Sequence, residues 1–131
     1  RLRQASHSQM YEQDERGGDR AIETAIQYIK SHFNEDLSLE KVASVVYLNP
    51  VYFSQLFKQK TGQGYKEFVI QLRLEQAKRL LHNPSLKLAD VAERIGYQDL
   101  RHFSQQFRKR FDVTPSEYRQ QLLANSTQLN G

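Results

Sequence analysis

Residues 53–60 read FSQLFKQK and residues 103–110 read FSQQFRKR, so a pattern of Phe, Ser, Gln, Phe and basic residues recurs at a spacing of fifty. A helical wheel at about 100° per residue separates these side chains into two faces. With Phe53 and Phe57 inward, Val51, Gln55 and Lys58 point away, flanked by Tyr52, Ser54 and Gln59. With Phe103 and Phe107 inward, Arg101, Gln105 and Arg108 take the equivalent outward places, flanked by His102, Ser104 and Lys109, with Arg110 following. A Gln amide matches adenine N6 and N7, an Arg guanidinium matches guanine O6 and N7, and an apolar side chain can touch a thymine methyl. Lys and Arg further along such a helix suit phosphate oxygens, which give affinity without sequence choice. Any one of these polar residues alone reads as a solvated helix face. Presenting the same set twice is what an idle surface does not explain.

Catalytic chemistry finds little support. His7, His32, His82 and His102 are scattered with no pair at metal-ligand spacing, and the chain has no Cys to join them. Gly62-Gln63-Gly64 is a fragment of a phosphate loop with no strand before it. No catalytic residue, metal or cofactor is expected. The lack of Cys also excludes a disulfide framework and fits a reducing cytoplasm.

The elements that must carry the repeated faces all have helical spacing. Asp19 can cap a first helix with the stripe Ile22, Ile26, Ile29 and Phe33; Ser38 can cap a short second one presenting Leu39, Val42, Ala43 and Val46. Asn49-Pro50 opens a third, which Thr61-Gly62 ends. A longer helix from about Tyr65 to His82, with Phe68, Leu72, Ala77, Leu80 and Leu81 inward, stops at Asn83-Pro84. A short helix (Leu88, Val91, Ala92, Ile95), a turn at Gly96, a helix from Asp99 to Phe111 and a last one opened by Thr114-Pro115 complete the set. The short helices match at a spacing of 49 and the longer ones at 50, so the second turn has gained one residue. The expected fold is all-α: seven helices, in two helix-turn-helix subdomains (20–64 and 84–122) joined by a long central helix (65–83). About 18 residues at 1.5 Å each make that connector roughly 27 Å long, comparable with the roughly 34 Å between successive major-groove faces on one side of B-DNA.

Residues 1–19, ending near Gly17-Gly18, read as a linker or disordered segment, and 123–131 as a disordered tail. The chain begins with Arg rather than Met and is expected to be a piece of a longer protein. The net charge is +4; without residues 1–19 the remainder has 16 basic and 11 acidic groups. Residues 101–119 concentrate Arg101, Arg108, Lys109, Arg110 and Arg119 against Asp112 and Glu117. No apolar run approaches the length of a membrane span. A helical module docking on polymerase or a signalling partner is the alternative reading, but a peptide groove would turn apolar rather than basic and Gln residues outward.

The segment GYQDLRHFSQQFRKRFDVTPSEYR, 96–119, resembles the signature of the AraC/XylS-type transcription regulators at Gly96, Tyr97, Phe103, Ser104, Phe107, Thr114, Pro115, Tyr118 and Arg119. LSLEKVA at 37–43, YFSQLFKQKTG at 52–62 and LRLEQAKRLL at 72–81 extend the resemblance over about residues 22–120. It implies a seven-helix DNA-binding domain with recognition helices at about 50–60 and 99–110, in a regulator that usually activates transcription. Asp112 stands where the family commonly has Gly and implies a different helix ending, and Gln106 is polar where the first copy has Leu56. The expected partner is double-stranded DNA, with RNA polymerase a further candidate. The fragment is expected to be monomeric, with any dimerisation residing elsewhere in the full-length protein.

Overall fold

A computed structural model of the chain describes the backbone over residues 2–130 and the side chains over 17–125. Among the described residues there are seven α-helices: α1 (Leu2–Ser31), α2 (Leu39–Val45), α3 (Pro50–Thr61), α4 (Tyr65–Leu81), α5 (Leu88–Arg94), α6 (Leu100–Phe111) and α7 (Pro115–Asn130). They form two compact units. The first comprises the chain through His32 together with Leu37–Val69; the second comprises Phe33–Asp36 and the chain from Ile70 onward. None of these helices is long and apolar enough to cross a membrane.

In the first unit α1 supplies Ile22, Ala25 and Ile29, α2 supplies Val42 and Ala43, and α3 supplies Phe53, Leu56 and Phe57 to the core. Tyr65 closes this core: its ring meets Phe53 and Phe57 edge-on, and its hydroxyl donates to the Leu37 carbonyl at 2.8 Å. That bond satisfies a polar group which burial would otherwise penalise. Ile26 is only half-buried and Ala25 replaces it in the stripe; Phe33 lies beyond the end of α1.

The helix start differs from the linker expected over 1–19. Gly17-Gly18 lies inside α1, where the buried Gly18 lets α3 approach so closely that a methyl group there would lie 3.2 Å from Leu56 Cδ1. Asp19 is therefore not a cap. It sits mid-helix and pairs with Lys60 Nζ at 2.9 Å. Glycine costs about 1 kcal/mol in a helix interior, which tertiary contact outweighs here. Residues 2–16 contain no Pro, so an established helix extends through them at little cost. The C-terminal tail is corrected likewise: α7 runs on to Asn130, because Leu122, Leu123 and Ala124 are good helix formers following a firmly capped start.

The second unit repeats the plan. Val91, Ala92, Ile95, Tyr97, Phe103 and Phe107 pack with Leu74, Ala77 and Leu81 of α4. The aromatic scaffold is duplicated in detail: Phe53–Phe57 and Phe103–Phe107 lie at 5.7 and 5.8 Å, and Phe57–Phe68 and Phe107–Tyr118 at 5.0 and 5.8 Å. The single inward stripe expected of α4 is not what forms. Tyr65 and Val69 are buried in the first unit and Leu74, Ala77 and Leu81 in the second, while Phe68, Leu72 and Leu80 are half-buried. A helix that serves two cores has no one apolar face.

Start and stop signals act as their chemistry dictates. Thr114 Oγ1 accepts the Glu117 N–H at 3.1 Å and the Glu117 carboxylate accepts the Thr114 N–H at 2.8 Å, a reciprocal capping box opening α7. The hydrogen bond from the Thr114 backbone, then that with its side chain, holds the Glu117 carboxyl below the usual carboxylate range, with a smaller contribution from the Arg108 charge. A depressed folded-state value stabilises the fold above the ordinary carboxylate range, and this contribution is lost as pH falls through the folded value. Thr114→Ala deletes the hydroxyl and keeps the backbone N–H, so it is expected to return the Glu117 titration only partway toward the ordinary range, read from its carboxyl carbon by NMR. An unmoved titration would leave the backbone hydrogen bond as the whole cause.

The two turns within the repeats differ by one residue. Leu48 N–H donates to the Ala43 carbonyl and Tyr97 N–H to the Ala92 carbonyl, both at 2.9 Å, so Tyr47 and Gly96 are equivalent and Gln98 is the insertion. Tyr47 takes a left-handed backbone (φ 59) while its side chain is 94% exposed. The left-handed conformation costs a bulky residue about 1–2 kcal/mol, and exposure provides no packing to offset it. Glycine forfeits roughly 0.5–1 kcal/mol through unfolded-chain entropy. Tyr47→Gly is thus expected to raise stability by about 0.5–1 kcal/mol in denaturant titration; a loss would mean that the ring packs on the protein.

Candidate nucleic-acid interface

The helices α3 and α6 are each 12 residues long and are bounded in the same way. Asn49 Oδ1 accepts the N–H groups of Val51 (2.8 Å) and Tyr52 (3.3 Å); Asp99 Oδ1 accepts that of Arg101 (2.8 Å). Each cap fixes the first helical turn, so the side chains at 51, 52, 101 and 102 project from a defined backbone. At the far end Gly62 (φ 78) and Asp112 (φ 66) both take the left-handed conformation, and their N–H groups donate to Lys58 and Arg108 carbonyls at 2.8 and 2.7 Å. The different ending expected at Asp112 does not occur. A short polar side chain tolerates this region better than most non-glycine residues.

Within the first unit, α3 exposes Val51, Tyr52, Gln55, Lys58 and Gln59 and leaves Ser54 half-buried. In the second, α6 exposes Arg101, His102, Gln105, Arg108, Lys109 and Arg110 and leaves Ser104 half-buried. Each helix therefore brings its own predicted residues together on one side, opposite its buried phenylalanines. The His102 ring is steadied by an edge contact with Tyr97 at 5.3 Å. Tyr97 is itself buried, which raises its hydroxyl above the usual range despite the Arg73 charge nearby. Leu56 and Gln106 differ as their sequence does: Leu56 is buried, with α1's Gly18 against it, and Gln106 is half-buried.

Charge sorts itself by engagement. Among the described residues no salt bridge holds Lys58, Arg101, Lys109 or Arg110, and Gln55 and Gln105 make no side-chain hydrogen bond. Lys109 and Arg110, in α6's last turn, lie where the helix dipole favours positive charge, so they are stable there without a salt bridge. Two other basic residues, Lys60 of the repeated pattern and Arg119 beyond it, serve the fold instead. Lys60 pairs with Asp19, and Arg119 donates to the carbonyls of Leu81 (3.2 Å) and Asn83 (3.1 Å), capping α4. Lys78, which sequence reasoning did not single out, lies over the Phe111 ring at 4.3 Å. Sequence reasoning also missed the exposure of Tyr47, because a left-handed tyrosine leaves no pattern. The concavity in the second unit lined by Asn34, Glu35, Asp36, Glu93 and Tyr97 is acidic and does not suit a polyanion.

Residues 42–121 match the family described as "Helix-turn-helix domain". The regulatory protein PocR of Salmonella typhimurium is 41% identical over 82% of this chain, which spans 36% of PocR. The transcriptional activator RhaS of an Enterobacter species is 34% identical over 78% of the chain, which spans 37% of RhaS. The chain thus covers little more than a third of these relatives. Among solved structures, the C-terminal domain of AraT, a response regulator from Geobacillus stearothermophilus, superposes with a TM-score of 0.73 at 37% identity, covering 77% of this chain and 84% of that one. The DNA-binding domain of the global transcriptional factor AdpA, solved with a target DNA, gives 0.77 at 25% identity, covering 82% and 96%. With the repeated helices, their caps and the aromatic scaffold all in register, the chain belongs to the AraC-type helix-turn-helix family of DNA-binding transcription regulators.

Proposed function

We propose that this chain binds double-stranded DNA sequence-specifically, with α3 and α6 each entering the major groove of one duplex. Val51, Tyr52, Ser54, Gln55, Arg101, His102 and Gln105 face base edges; Lys58, Gln59, Arg108, Lys109 and Arg110 hold phosphates. The observation that carries the reading is the duplication of one polar set on two similarly bounded helices, with exposed cations beyond the base-facing residues: Lys58 on α3, and Arg108, Lys109 and Arg110 on α6. Neither Lys60 nor Arg119 belongs to the phosphate set, since both are engaged within the fold. The regulator acts in the cytoplasm, and activation of transcription, with contact to RNA polymerase, is the favoured outcome, because RhaS and the lactose operon protein of Staphylococcus xylosus are named activators.

Two recognition helices in one chain let a monomer occupy a whole site. A 30-base-pair duplex enriched from a random pool should be bound by a single chain, as read by sedimentation. Each phosphate contact contributes about −0.9 to the slope of log affinity against log salt, so four such cations give roughly −3 to −4. A complex indifferent to salt, or one requiring two chains per duplex, would overturn the proposal.

A further inference from the structure

The base-facing ends of α3 and α6 are chemically unlike. Within residues 47–52 the first unit exposes Tyr47 (94%), Val51 (67%) and Tyr52 (45%). At the positions equivalent to these three, the second unit has Gly96, Arg101 and His102. A lone exposed apolar residue is ordinary on a protein surface. Here, however, Val51 sits in the first turn of a helix whose N–H groups Asn49 locks, at the place where the sister helix carries a guanidinium. Such a branched hydrocarbon cannot hydrogen-bond a base edge. The one apolar feature of the major groove is the thymine 5-methyl group. Arg101, by contrast, is built for guanine O6 and N7.

We infer that the two units read unlike half-sites: α3 selects thymine through its methyl group, with Val51 and Tyr52 as the apolar contact, and α6 selects guanine through Arg101. This rests on the duplex reading proposed above. It adds that the two half-sites respond differently to a change that leaves every Watson–Crick pair intact. Replacing thymine by deoxyuracil removes only the methyl group. Covering one methyl is equivalent to roughly a fourfold gain in affinity, and two contacts to about fifteenfold. Losing a bidentate Arg–guanine pair should cost about tenfold to a hundredfold on the guanine half alone.

The test selects duplexes from two randomised pools, one amplified with thymine and one with deoxyuracil in its place, using the wild-type chain, Val51→Ala and Arg101→Ala. Both residues are exposed, so neither substitution disturbs a core. The wild type should enrich a two-part motif from the thymine pool and only the guanine part from the uracil pool. On one selected duplex, full uracil replacement should weaken the wild type four- to fifteenfold. Val51→Ala should lose that sensitivity, whereas Arg101→Ala should retain it while losing the guanine part. Wild-type binding unchanged by uracil, or Val51→Ala as sensitive as the wild type, would overturn the inference with the duplex reading intact. Enrichment from neither pool would overturn both.

Discussion

Gly96→Ala is expected to unfold the second unit under conditions where the wild type is stable, costing at least about 3 kcal/mol. Two effects combine. The backbone at Gly96 is left-handed (φ 92), which alone costs an L-residue about 1–2 kcal/mol. An added methyl group would also collide with the carbonyl oxygen of Phe33 and come within 3.0 Å of the Arg73 guanidinium. The Phe33 backbone is not the movable end of a side chain, and Arg73 is anchored by its bond to the Glu35 carbonyl, so relief requires the backbone to shift. Gly62→Ala is the control. It is left-handed too (φ 78), but nothing lies within 4 Å of its added methyl, so about 1 kcal/mol is expected. Denaturant titration of both variants checks the pair; equal losses would show that conformational strain alone, not the Phe33 contact, governs the turn.

Gly96 also shows how far the sequence could be read. Its place as a turn was legible from the repeat, because the residues matching at 49 and 50 require one extra residue between α5 and α6. That Tyr47 occupies the same left-handed position was not legible, since nothing in a tyrosine announces positive φ. The helix caps at Ser38, Asn49 and Thr114 were readable because each satisfies a backbone group locally. Gly18 misled for the opposite reason: its meaning lies in Leu56, 38 residues away, and a glycine pair looks the same in a linker and under a packed side chain. The candidate interface was legible as a face, since helical periodicity puts Gln55 and Gln105 opposite the phenylalanines. That Lys60 and Arg119 are engaged within the fold was not legible, because it depends on tertiary partners.

Arg101→Ala and Lys109→Ala are expected to fail in different ways. Arg101 projects from the capped first turn of α6 and Lys109 from its last turn. A bidentate base contact carries about 1–3 kcal/mol of discrimination, so Arg101→Ala should weaken the preferred duplex by that amount and relax base choice at one or two positions. Lys109→Ala removes a charge that reads no base. It should weaken all duplexes alike and reduce the salt slope by about one unit. Titrating both variants against single-base variants of one selected duplex, at two salt concentrations, separates the profiles. The same profile for both would merge the two roles assigned to α6.

The most direct measurement is methylation interference on a selected duplex. Guanine N7 opens into the major groove and adenine N3 into the minor groove, and a methylating reagent modifies both. If α6 reads base edges in the major groove through Arg101, guanine N7 methylation within its half-site should block binding by the wild type and cease to discriminate for Arg101→Ala, while adenine N3 methylation there is tolerated by both. Interference confined to adenine N3, or guanine interference that persists unchanged in Arg101→Ala, would contradict it.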